Sequence, residues 1–137
     1  MVKPDAAGLT PGKVLLLVAF SSCAWFGAAT YIRLGAPAGQ FSGTEGLYTY
    51  GETALVTIPL NWLTRLMVRM PPRAMVQVIA VTSGWAGLLD GVAMSHFPWL
   101  YGSDPANILA GAAWLLWALA VAGILSLITT WRAAPAP

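Results

Sequence analysis

Four apolar stretches, residues 14–34, 46–64, 74–97 and 106–131, take up most of this chain. A helix needs roughly 20 residues to cross ~30 Å of hydrocarbon, and each stretch is near or above that length. Lipid offers no partner to a backbone N–H or C=O, so a spanning segment must satisfy its own and is helical unless it closes into a barrel. Barrel strands would alternate apolar and polar residues over short segments, and these runs do not alternate. The connections are punctuated accordingly. "GAPAGQFSGTEG" over residues 35–46 is rich in Gly and Pro, and the two prolines of "MPPR" over 70–73 cannot continue a helix. "PWLYGSDP" over 98–105 offers Ser103 or Asp104 as a cap before Pro105.

Charge agrees with the stretches. Only 9% of the 137 residues are charged and 58% are hydrophobic, against about 25% charged in an ordinary soluble domain. One transmembrane domain over residues 1–137 is expected, with no separate soluble domain. The formal net charge of +2 reads as orientation. No basic run or nucleic-acid motif is present, so nucleic acid is excluded as a partner and the lipid bilayer is included. With four spans, Lys3, Lys13, Arg65, Arg69, Arg73 and Arg132 fall on one side and Arg33 alone on the other. The positive-inside rule then puts both termini in the cytoplasm. The expected fold is an all-α bundle of four transmembrane helices in a bacterial inner membrane. Tyr31, Tyr48, Tyr50, Phe97, Trp99 and Tyr101 are expected at the outer interface, and Trp62 and Trp131 at the inner one.

Asp90 does not belong in a hydrocarbon segment. It stands eight residues before Pro98, roughly 12 Å below the outer helix end at 1.5 Å per residue. Glu52 is expected roughly 9 Å deep on the second helix. A charge at such depth costs a few kcal/mol unless it finds a partner or water. Arg33, near the outer end of the first helix, offers a fork that can hold carboxylates. Arg33, Glu52 and Asp90 are therefore expected to meet between helices. Such a cluster can fix helix register, or it can carry a proton or bind an ion. Ser83, Gly87, Gly91 and Ser95 recur every fourth residue. That spacing predicts a small-residue face along which another helix approaches closely.

Other groups carry weaker signals. His96, the single histidine, is a ligand candidate with no second ligand suggested. Trp25, Trp85, Trp114 and Trp117 fall near mid-depth, as core packing groups or as a surface for a flat pigment, quinone or lipid tail. Pro59 interrupts the second helix, and Arg65 and Arg69 close it near anionic headgroups. "FSSC" ending at Cys23 faintly resembles a lipoprotein cleavage box, but the apolar run continues past it. One cysteine makes no internal disulfide, and no Cys/His cluster stands ready for a metal. No Walker loop, HExxH or GxSxG motif is found. The cofactor is unknown from the sequence, with a pigment, haem or quinone left open.

"WFGAATYIRLG" at 25–35, "LLDGVAMSHFPWLYG" at 88–102 and "AAWLLWALAVAGIL" at 112–125 resemble a family of small bacterial four-helix membrane proteins of unassigned function. The likeness rests on Arg33, Gly35, Asp90, Pro98, Trp114 and Trp117 and covers about half the chain. It implies the four-helix topology and draws attention to Arg33 and Asp90, without supplying an activity. Three functions are carried forward. The first is a non-catalytic accessory or assembly subunit packed against a larger membrane complex, respiratory or photosynthetic. The second is a small oligomeric transporter or channel using Asp90 and Glu52. The third is a cofactor- or lipid-binding membrane enzyme using His96 and the tryptophans.

Overall fold

The computed structural model describes residues 8–133 and is all-α among them. Four helices, α1 (Pro11–Gly35), α2 (Gly43–Met67), α3 (Met75–His96) and α4 (Pro105–Arg132), are joined through single 3-10 turns at Ala36–Ala38, Pro72–Ala74 and Pro98–Leu100. The ends follow local chemistry. Thr10 accepts a hydrogen bond from the Lys13 amide with Pro11 in the first turn of α1, and Asp104 accepts one from the Ala106 amide ahead of Pro105. Each satisfies an amide that the helix start leaves free. The α2–α3 turn passes through Arg69 at φ 51°. There the Arg65 guanidinium donates to the Met70 carbonyl oxygen at 3.0 Å.

Of the helices adjacent in sequence, only α3 and α4 are main packing partners. α1 packs on α3, α3 on α4, and α4 on α2, while α1 and α2 barely touch. The bundle is thus open along one side. Two apolar clusters close its ends. At one end Ala29, Ile32, Ala36, Phe41, Ala93, Tyr101, Trp114 and Leu115 pack together. At the other, Leu17, Val68, Met70, Ala74 and Val78 do so. Lys13, whose ammonium lies 3.3 Å from the Met70 sulfur, sits at this second end. So do Arg65, Arg69 and Arg73 of the α2–α3 turn, and Arg132, since Thr130 accepts from the Val76 amide beside it. Arg33 is at the first end. Lys3 lies outside the described residues.

The distribution of polarity is inverted relative to a soluble bundle. Ser21, Thr49, Thr57, Asn61, Thr64 and Ser126 are buried, while Leu15, Phe26, Leu47, Leu55, Leu109, Leu116 and Trp131 are exposed. Water would expel the second set, and lipid would not. Three segments, Pro11–Ala38, Pro72–His96 and Pro105–Arg132, are long and apolar enough to cross a membrane. α2 falls short of the four expected spans on composition. Its residues include Glu45, Glu52, Asn61 and five threonines.

Candidate functional site

α2 explains its own composition when its faces are separated. Thr49, Thr53, Thr57 and Asn61 recur every fourth residue and lie on one face, with Thr64 one turn further. Leu47, Leu55, Val56, Ile58, Trp62, Leu63 and Leu66 are exposed. Threonine is tolerated in a dry helix when its hydroxyl returns to the carbonyl four residues back. Thr53, Thr57 and Thr64 all do this, each at 2.7 Å.

This polar face looks into a cavity of about 460 Å³ between the two apolar clusters. α1 contributes Ser21, Trp25 and Tyr31 to the lining, α3 contributes Thr82, Ser83 and Asp90, and α4 contributes Trp114 and small or apolar residues. Glu52 is on the wall as well. Among the described residues Glu52 has no hydrogen-bond or ion-pair partner. Thr49 is 5% exposed, and its hydroxyl makes no hydrogen bond to a described residue. Asn61, 6% exposed, donates from Nδ2 to the Ala122 carbonyl oxygen at 3.1 Å. Its own carbonyl oxygen accepts nothing from the described residues.

Asp90 is held in a way the sequence reading did not anticipate. The Tyr101 hydroxyl donates to its Oδ1 at 2.5 Å, and Trp25 Nε1 donates to the Tyr101 oxygen at 2.9 Å. Tyr101 is fully buried, with its hydroxyl turned to Asp90. Burial, then its bond to Asp90, pushes the phenol above its ordinary pKa, so it remains a donor. Arg33 does not answer Asp90. It donates instead to the Trp99 carbonyl oxygen at 3.2 Å, in an exposed position. The three-residue cluster is therefore corrected: Glu52 and Asp90 share the cavity wall and Arg33 is outside it. The reason is one of expense. A neutral phenol supplies a strong donor without the desolvation of a second ion, and a guanidinium at a helix end keeps its water.

The expected packing face is not used between helices of this chain. Ser83 lines the cavity. A Cβ on Gly87 would meet only Leu119 at 3.9 Å, and one on Gly91 would meet nothing. Ser95 is exposed and returns its hydroxyl to the Gly91 carbonyl oxygen. No helix of this chain approaches closely along that ladder. The close approach is elsewhere, at Gly111 on α4, where a Cβ would lie 2.4 Å from the Ile32 side chain.

His96 is exposed and stands against Phe97, with ring centroids 6.4 Å apart. It is not brought together with Trp114 or Trp117. The tryptophans serve as ties between helices. Trp85 on α3 donates to Ser22 on α1 at 2.9 Å. Trp114 and Trp117 on α4 donate to α2, at the Thr53 hydroxyl (2.7 Å) and the Tyr50 carbonyl oxygen (3.2 Å). Tyr31, Phe41 and Trp114 form an aromatic cluster beside the cavity, with centroids 5.2–5.5 Å apart. Among the described residues, no three of His, Cys, Asp and Glu gather as a metal site.

The class these features define is, over the described residues, an all-α chain with apolar outer faces, three membrane-length helices and a largely apolar cavity with one polar wall. Comparison with protein-family models, curated proteins and solved structures finds no match for it.

Proposed function

We propose that the protein is a non-catalytic membrane protein that binds a small amphiphile in the cavity, entered sideways through the slot between α1 and α2. The observation that carries this reading is a cavity with a threonine and asparagine wall, opened where two helices fail to meet. A mixed apolar and polar lining of this size is what ligand sites use. The apolar clusters at both ends favour a binding site over a continuous channel.

All four helices span in this reading. α2 has 25 residues, about 37 Å at 1.5 Å per residue, which exceeds a ~30 Å core. Its leucines face outward and its threonines inward, as lipid requires. The basic end is placed in the cytoplasm, and the membrane is the inner membrane of a bacterium. A second reading, an accessory or assembly subunit, is favoured by the same slot, which a helix of a larger complex would close.

Native mass spectrometry of the full chain released from mild detergent tests both. The expected spectrum carries an added mass below about 1 kDa, the scale of a ligand that such a cavity admits, and loses it in Ala118→Phe, which fills the cavity. A stoichiometric protein partner in place of the small mass would establish the accessory reading. A bare chain, in the wild type as in Ala118→Phe, would overturn both.

A further inference from the structure

We infer that the cavity selects a cationic amphiphile, an ammonium group on a compact apolar body, and that Glu52 and Asp90 read its charge. The inference rests on the binding reading above and names the ligand's chemistry.

Charge comes first. The lining includes two carboxylates and no Lys, Arg or His. The arginine expected beside Asp90 is turned away toward Trp99. Glu52 is exposed and Asp90 half-buried, and a carboxylate on the wall of a largely apolar cavity favours any cation that can reach it. Asp90 is partly answered by Tyr101, but Glu52 is answered by no described residue. It is the open charge of the site.

Hydrogen-bonding capacity points the same way. The Asn61 carbonyl oxygen and the Thr49 hydroxyl have no partner among the described residues, and neither atom is sealed off, so both are open to a ligand. The hydroxyl protons of Thr53, Thr57 and Thr64 are committed to backbone carbonyls, while the hydroxyls of Thr49, Ser83 and Tyr31 are not bonded to a described residue. The Trp25 and Trp114 N–H groups are committed to Tyr101 and Thr53. The strongest free groups on the wall are acceptors, the two carboxylates and the Asn61 carbonyl oxygen, against a few hydroxyls that can turn either way. An ammonium group, with three N–H donors and no acceptor, complements it. A carboxylate or phosphate would meet two like charges and no positive one.

The remaining wall suits the body of such a molecule. Trp25, Tyr31 and Trp114 place π systems around the cavity, and aromatic rings attract cations as well as apolar groups. On α4, Leu115, Ala118 and Leu119 offer only hydrocarbon.

Three rigid probes of one shape separate charge from shape: 1-adamantylamine, 1-adamantanol and 1-adamantanecarboxylate, at neutral pH. Binding to the full chain in detergent is read by tryptophan fluorescence, with Ala118→Phe as the control for partition into the micelle. The amine is expected to bind about tenfold more tightly than the alcohol, and the carboxylate more weakly than either. Glu52→Gln is expected to erase the amine's advantage while leaving the melting temperature unchanged, because Glu52 has no hydrogen bond or ion pair to a described residue. Equal binding of all three probes, or preference for the carboxylate, would overturn the cationic ligand and leave the cavity as a binding site. Binding of none beyond the Ala118→Phe control would overturn the cavity reading itself.

Discussion

Tyr101→Phe is expected to lower unfolding stability by about 2–3 kcal/mol, far more than one surface hydroxyl is worth. The phenol is fully buried and connects three parts of the chain. It accepts from Trp25 on α1 and donates to Asp90 on α3, while its backbone belongs to the α3–α4 connection. Phenylalanine keeps the ring and its packing. It leaves a half-buried carboxylate without its strongest donor and an indole N–H without its acceptor. Asp90→Asn in the Tyr101→Phe background removes the stranded charge and should recover most of the loss. Denaturant unfolding of the four proteins in one detergent closes the cycle. Strictly additive losses would show that the hydroxyl and the carboxylate do not act as a pair.

Gly111→Val is expected to destabilise by about 1–3 kcal/mol, the usual cost of overfilling a packed site. Even a single added carbon at Gly111 would lie 2.4 Å from Cγ2 of Ile32 and 3.0 Å from its Cγ1. Ile32 is fully buried in the cluster that closes one end of the cavity, so it has nowhere to move. Valine at Gly123, where added carbon meets open space, is the control and should be close to neutral. Ile32→Ala alone leaves a void and costs stability. Combined with Gly111→Val it should be less damaging than either change alone. Thermal unfolding of the set checks the pattern. A Gly111→Val protein as stable as the Gly123→Val control would show that α1 and α4 are not in contact there.

Much of this architecture was legible in local chemistry. Pro11, Pro105 and the paired Pro71 and Pro72 mark helix ends because proline tolerates a first turn and no interior one. Asp90 points to protein, as an ion among apolar residues must. Its partner was harder to read. Tyr101 follows Pro98 in a connection that suggests an interface, and only the fold of that turn carries the phenol back into the bundle. Arg33 was chosen by charge, whereas the fold answers a carboxylate with a neutral donor. The small-residue ladder on α3 takes no close helix from this chain, because four-residue spacing says that a helix can approach, not which one does. Gly111 lay hidden in the run Ala110–Gly111–Ala112–Ala113, where no single glycine stands out. The polar face of α2 was within reach: Thr49, Thr53, Thr57 and Asn61 spell a helical period in an otherwise apolar stretch.

The central claim is that α2 turns its threonines inward and its leucines to lipid. Spin labels at single cysteines along α2, in a Cys23→Ser background and in bilayers, measure it through collisions with oxygen, which enters lipid, and with a water-soluble nickel chelate. Oxygen should dominate at Leu55, Ile58 and Trp62 and fall at Thr57 and Asn61, with a helical period. Nickel dominating at Leu55 and Ile58 would put that face in water and contradict the account.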